Sequence, residues 1–522
     1  MNSSAGGIVR VLALLLFLGI ALLASCALPS MPQRPDSRAL DADAAAQTAL
    51  GRALAPRLQR HPDRSGLHLL GDPLEAFAAR MLLAHAAQRS LDVQYYIWRG
   101  DQTGTLLLHA LLNAADRGVR VRLLLDDGGT SGLDRELATL AQHPHIEVRL
   151  FNPFALRWPK PLGYLTDFAR TNRRMHSKSF TADNRVSIVG GRNVGDEYFG
   201  ASDGVVFADL DVLAVGSVVE EVSTEFDRYW ASLSAWPAQA ILPAPDPAAL
   251  QELSARASAL THSDSAQAYV RAVRDTAFIQ DLLAQRLSLH WSRVEMVSDD
   301  PAKALGQAEP KGLLIDQLHR AVGTPQRSIM LVSPYFVPTS AGTDALLRLR
   351  ERDITVRVMT NAYEATDVPL VHAGYAKHRK ALLRGGVDLY EMRRSALSPG
   401  AERGPRPNRL GSSGSSLHAK TFAVDGERVF VGSYNFDPRS ALLNTELGFV
   451  IHSPEFAQLV ERVFDTEVPR RSYTLRLSGR DEIEWLDTAH EPPLAHRVEP
   501  NSTWWSRAML RLLAWLPIDW LL

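Results

Sequence analysis

Two stretches of this chain carry the same polar residues at the same spacing. In HSKSFTADNRVSIVGGRN, His176, Lys178 and Asp183 are followed by Gly190, Gly191 and Asn193. In HAKTFAVDGERVFVGSYN, His418, Lys420 and Asp425 are followed by Gly432, Ser433 and Asn435. Histidine titrates near neutrality, so it serves as nucleophile, base or acid. A lysine two residues further along an extended chain points to the same side. It brings charge and donors to a phosphoryl oxygen, and asparagine adds further donors. After each aspartate, Asp183-Asn184 and Asp425-Gly426 predict a turn, and VSIV and RVFV predict a returning strand. That hairpin carries the small residues and the asparagine back beside the histidine, where Gly191 or Ser433 lets a substrate oxygen approach closely. The aspartates orient or brace the motif rather than react.

One motif supplies half a site. With two facing each other, one imidazole attacks phosphorus in its neutral form. The other, protonated, gives its proton to the leaving oxygen. Two unperturbed histidines, titrating near ~6.5, could divide those roles around neutral pH. Two lysines and two asparagines would neutralise the developing charge, so no metal and no other cofactor is expected. The sequence has neither a Walker-type loop nor a clustered Cys/His set.

The elements that position these residues also recur. LDVQYYI (Leu91 to Ile97) predicts a strand, Leu106 to Arg117 a helix, and VRVRLLL (Val119 to Leu125) a second strand. SIMLVSPY (Ser328 to Tyr335), Asp344 to Arg350, and ITVRVM (Ile354 to Met359) repeat that order. Strand–helix–strand units imply a parallel sheet with crossover helices. The expected fold is α/β: two duplicated sandwich-like domains forming a pseudo-dimer around one shared site. Asp126-Asp127-Gly128-Gly129 reads as a turn, and His143, His145 and His372 as surface or loop residues.

With both motifs complete, the chain resembles the phospholipase D superfamily over roughly residues 70 to 475. LHAK, VGSYNFDPRS, NTE and VGGRN followed by DEYF, with the Trp-rich terminus, resemble the bacterial cardiolipin synthase C group within it. The resemblance implies a phosphohistidine intermediate on His176 or His418 and transfer of a phosphatidyl group to a hydroxyl of phosphatidylglycerol. Phosphatidylethanolamine is a further candidate substrate. It also implies an acid orienting each histidine, with Asp209 or Asp211 in the first half and Glu446 in the second as candidates. A hydrolytic phospholipase D, a nuclease of the same superfamily and a catalytically dead lipid-binding lipoprotein are the alternatives.

Composition limits the choice. The 522 residues have 57 Lys plus Arg against 58 Asp plus Glu. This balance provides no basic stripe to track nucleic acid. Arg10 precedes an apolar run, Val11 to Leu23, that ends in LASC; residues 1–25 read as a signal peptide and Cys26, the single cysteine, as a lipidation site. The expected location is therefore the bacterial envelope, as a lipoprotein favouring the outer membrane or associated with the inner one. Residues 26–65 read as a tether and lead-in helix, 66–236 as the first domain, 237–255 as a proline-rich linker and 256–500 as the second domain. Residues 501–522, with Trp504, Trp505, Trp515 and Trp520, form an amphipathic tail suited to a membrane surface. Ser395 to Ser416 reads as a surface loop. No protein partner can be read from the sequence.

Overall fold

The computed structural model describes residues 28–516 and 519, except 203–204, 263, 277–280, 282–286 and 395–413. The signal peptide, Cys26 and most of the 395–416 loop therefore lie outside the described residues. In the first half the strands are β1 (Ser65–Leu70), β2 (Ser90–Ile97), β3 (Arg120–Gly129), β4 (Ile146–Phe151), β5 (Ser179–Ala182), β6 (Val186–Gly190), β7 (Val205–Ala208), β8 (Asp211–Gly216) and β9 (Ala235–Pro237). The second half contributes β10 (His290–Ser298), β11 (Ser328–Val332), β12 (Thr355–Asn361), β13 (Asp388–Met392), β14 (Gly414–Leu417), β15 (Thr421–Val424), β16 (Arg428–Gly432), β17 (Leu447–His452), β18 (Ser472–Leu477), β19 (Ile483–Asp487) and β20 (Leu494–His496).

The first half orders its strands β9-β4-β3-β2-β5-β6-β8-β1, with β2, β3 and β4 parallel. The second repeats this as β13-β12-β11-β15-β16-β17-β10, again with three parallel strands, and adds β18, β19 and β20 at one edge. Antiparallel pairing of β1 with β10 (Gly66 opposite Trp291) joins the two sheets into one of 18 strands. The duplication read from sequence is thus continuous at the level of hydrogen bonds. Each predicted strand and helix is found, with ends shifted by a few residues; the first crossover helix, Gln102–Asp116, starts earlier because Asp101 caps it.

Helices cover the faces. Pro73–Ala86 and Gln102–Asp116 bury Phe77, Leu83, Leu107, Leu108 and Leu111 against Val93, Val121 and Leu123 of the first sheet. A separate core spans the join, packing Leu67, Val189, Val212 and Val218 on Val294, Val431, Phe449 and Ile451. Because the halves share buried apolar surface, their relative position is fixed by packing.

The boundary drawn at 255/256 falls inside a helix, Ala248–His262, that packs on Gln102–Asp116 and Asp134–Leu140 of the first half. Its prolines lie ahead of the helix, and its buried Ala249, Leu253 and Ala257 attach it to the first core. His372 is buried, not at the surface: it sits on helix Pro369–Ala376 beside Glu499 and Arg379.

Candidate active site

Both motif hairpins close as expected. Asp183 and Asn184 have φ of 51° and 50°, and Asp425 and Gly426 57° and 65°. Turns with two positive φ values match the twist of paired strands. Each aspartate then accepts backbone N–H groups from the residues leading into the neighbouring parallel strand: Gln88, Arg89 and Ser90 for Asp183, and Gln326, Arg327 and Ser328 for Asp425. Both are bracing residues facing away from the chemistry.

The His-x-Lys triplets lie between two pairings. Just before His176, Met175 bridges Thr445 of the other half; just before His418, β14 pairs in parallel with β7. After each lysine the chain enters its own sheet as β5 or β15. His176 N donates to Thr445 O at 2.8 Å, and His176 Nδ1 lies 2.8 Å from Glu446 Oε2. His418 N donates to Ala208 O at 2.8 Å, and its Nδ1 lies 2.5 Å from Asp209 Oδ2. Each histidine is therefore held, by backbone and ring, on two consecutive residues of the opposite half. With Nδ1 engaged by a carboxylate, Nε2 is the nitrogen left for chemistry.

Among the orienting candidates, Asp209 and Glu446 face histidines and Asp211 does not. Asp211 is buried against Arg80 at 2.8 Å and Arg192 at 3.4 Å. Asp209 and Asp211 are two residues apart, so strand alternation alone could not separate them. The small residues act differently from the sequence reading. A Cβ on Gly191 would lie 2.1 Å from Asp209 Oδ1, so this glycine makes room for the orienting carboxylate, not for substrate. Ser433, its counterpart, donates its hydroxyl to Glu446.

A cavity of about 540 Å³ opens between the halves, lined by His176, His418, Asn193, Asn435, Tyr96, Tyr198 and Tyr335, with Asp367, Asp437 and Arg439 at its wall. Asn193 is held by Ile97 N and Tyr198 OH, whereas the buried Asn435 Oδ1 has no hydrogen-bond partner among the described residues. Tyr96 stands edge-on to the His176 ring, and Tyr198 edge-on to that of His418. Lys178 and Lys420 are buried and donate to the carbonyls of His176 and His418.

Burial dominates the electrostatics. It lowers Lys178 to about 7 and Lys420 to about 8. Both histidines fall below their ordinary value, contrary to the unperturbed pair expected from sequence. Burial is the main cause, and positive neighbours add to it. His176 falls further, with Lys178, Lys420 and His418 beside it, while Asp209 partly restores His418. The two carboxylates also diverge. Burial raises Glu446 to about 7, whereas for Asp209 the attraction of His418 and Lys420 outweighs burial and holds it well below the usual range.

Sequence reasoning missed two clamps. Asp126 is a buried residue within β3, not a turn residue. It takes Arg174 at 2.7 Å and Met175 N at 2.7 Å, directly before His176. At the matching position of β12, Asn361 brackets Leu417 by N and O, directly before His418. Aligning VRVRLLLD with ITVRVMTN would have paired these residues. Elsewhere among the described residues, His372, Glu391 and Glu499 come together with metal-like spacing, and Arg379 provides their positive charge, 2.8 Å from Glu391 and 2.7 Å from Glu499.

Comparison with known proteins agrees with this geometry. The family described as "Cardiolipin synthase, PLD-like domain" matches residues 82–230 and 265–468, more than half of the chain. The chain belongs to this family. It is 48% identical over 479 residues to cardiolipin synthase C of Escherichia coli K12, covering 91% of this chain and 99% of that one. Cardiolipin synthase B of Shigella flexneri is 25% identical, covering 83% and 85%. The crystal structure of phosphatidylserine synthase from Haemophilus influenzae superposes with a TM-score of 0.51 at 13% identity, over 81% of this chain and 91% of that one; this likeness bears on the fold alone.

Proposed function

We propose that the protein is a phosphatidyltransferase that makes cardiolipin, with His176 as nucleophile and His418 as acid and base. The observation that carries the assignment is the crosswise holding of the two imidazoles on Glu446 and Asp209 at one cavity. His176, the more strongly lowered, is neutral at pH 7. Its Nε2 attacks the phosphorus of a phospholipid and forms a phosphatidyl-histidine. His418, beside an ionised Asp209, gives its proton to the departing headgroup oxygen. It then takes the proton from a glycerol hydroxyl of phosphatidylglycerol, whose oxygen attacks phosphorus and frees His176. Charged Lys178 and Lys420, both buried, stabilise the phosphoryl oxygens, and Asn193 and Asn435 are the candidate donors beside them.

Phospholipids in a membrane are the substrate class, phosphatidylglycerol and phosphatidylethanolamine the named candidates. Helix Trp504–Trp515 supports membrane contact: Leu510 anchors it on the protein while Trp515 is 91% exposed and Trp504, Trp505 and Leu512 also face outward. No described helix is long and apolar enough to cross a membrane. Residues 1–25 and Cys26 supply the anchor in this reading, as a lipoprotein of the outer membrane; intact mass of the membrane-extracted protein tests it, and a chain still beginning at Met1 overturns it. The deciding experiment for the reaction is mass spectrometry of lipids made by purified protein in vesicles of phosphatidylglycerol, with or without phosphatidylethanolamine. Cardiolipin is expected; phosphatidic acid as the main product would make the enzyme a hydrolase.

A further inference from the structure

A second group of exposed apolar side chains lies on a segment whose far end bonds the wall of the catalytic cavity. Residues 153–172, between β4 and the first motif, form short helical turns at Lys160–Leu162, Gly163–Thr166 and Phe168–Thr171. Trp158 is 86% exposed and Leu165 82%, and Leu162 and Phe168 are exposed too. Isolated exposed apolar residues are ordinary on a protein surface. Four within eleven positions, on a segment tied to the site, are not.

The segment is held firmly at its base. Arg157 lies 2.5 Å from both Asp127 and Asp134, Lys160 lies 3.1 Å from Asp127, and Asp127 also accepts from Phe154 N. Tyr164 packs edge-on to Phe154, and Arg170 donates to Pro153 O. These contacts fix the base and leave the apolar tips outward, so the exposure is not that of a collapsed loop turned inside out. Its far end meets the cavity wall: Arg439, a wall residue, donates to Asn172, and Arg173 donates to the carbonyl of Leu442, itself exposed. Opposite, Val368, Leu370 and Val371 line the same cavity, and helix Pro369–Ala376 carries the C-terminal helix on its outer face.

We propose that residues 157–168 with Leu442 are a second membrane-docking element. Together with helix Trp504–Trp515 it seats the cavity mouth on a phospholipid bilayer, so that a headgroup enters without its acyl chains leaving the apolar phase. The inference rests on the phospholipid reading of the site. A bilayer fits better than a protein surface for two reasons. The tips are separate Trp, Leu and Phe side chains, Trp among them favouring a lipid–water boundary, and Arg157, Lys160 and Arg170 beneath them are neutralised by Asp127, Asp134 and Asp167, so apolar groups and not charges are what the segment presents. The cavity whose wall the segment reaches through Asn172 and Arg439 must also receive substrate from that boundary.

The test uses the full chain, vesicles of phosphatidylcholine containing phosphatidylglycerol, and the same phosphatidylglycerol dispersed in detergent micelles. Trp158→Asp combined with Leu165→Asp should lower vesicle sedimentation and vesicle turnover about tenfold, with micellar turnover as in wild type. Trp158→Phe with Leu165→Phe should sediment as wild type. Sedimentation unchanged by the aspartates overturns the proposal, and so does an equal loss of turnover in micelles, which would assign the segment to the site instead. If wild type makes no lipid product in either form, the phospholipid reading fails while sedimentation still tests the docking element.

Discussion

The two halves frame their histidines with the same backbone but surround them with different charge. In each, the residue before the histidine is clamped by the matching residue of the second parallel strand, and the histidine itself by the opposite half. Yet Asp126 clamps as a buried ion pair with Arg174, while Asn361 clamps with a neutral amide. Asp209 is ionised beside His418, while Glu446, shared with Ser433, is raised to about 7 beside His176. Duplication gives two equivalent positions; the reaction needs an attacking base and a protonating acid at one phosphorus. The difference between the carboxylates allows a symmetric frame to do asymmetric work.

The comparison breaks most readily at the histidines. His176→Ala and His418→Ala should each reduce turnover by roughly four orders of magnitude or more, because members of one catalytic unit do not substitute for each other. In His418→Ala, denaturing quench at neutral to mildly alkaline pH, where the P–N bond survives, and peptide mass should find a phosphatidyl group on His176. The same group on His418 in His176→Ala would reverse the assignment.

The clamps should differ in stability. Asp126→Ala leaves Arg174 buried and unpaired and should cost about 3–5 kcal/mol, whereas Asn361→Ala should cost about 1–2 kcal/mol. Denaturant midpoints measure both, and equal costs would remove the distinction. Among the acids, Asp209→Asn should lower kcat about a hundredfold and Glu446→Gln about tenfold; the opposite order would show that Glu446 carries the working charge.

The pH profile sharpens the comparison further. A lysine with lowered pKa holds its charge below that value and loses it above. His418, which must be protonated to act as the acid, is lowered below 6.5, so kcat/KM should already decline on the alkaline side from there, and loss of Lys178 at about 7 and Lys420 at about 8 should steepen the fall by up to about tenfold per unit for each group lost. The lowered His176 keeps its neutral form well into acid, so the acid limb should lie below pH 6.5. A flat profile from pH 7 to 9 would contradict the buried lysines. The smallest effect should come from EDTA: turnover in vesicles is expected to be unchanged, and a loss restored by one divalent ion would put a metal in the mechanism.

Much of this was legible in the sequence. The matched offsets of His, Lys, Asp and Asn, the turns after Asp183 and Asp425, and the repeated strand–helix–strand order are local patterns. Chain geometry alone converts them into hairpins and parallel strands, and the family resemblance follows from them. Tertiary structure decided the rest. Which half's carboxylate meets which histidine depends on β7 pairing with β14 and Met175 with Thr445, contacts between residues more than 200 positions apart. Asp209 and Asp211 are two residues apart, so alternation alone could not separate them; Arg80 and Arg192 claim Asp211, and His418 claims Asp209. Gly191 reads from sequence as space for substrate, but Asp209 fills it. The lowered histidines come from burial among lysines, a property of the closed site and not of any motif, because a pKa follows what surrounds a group in space.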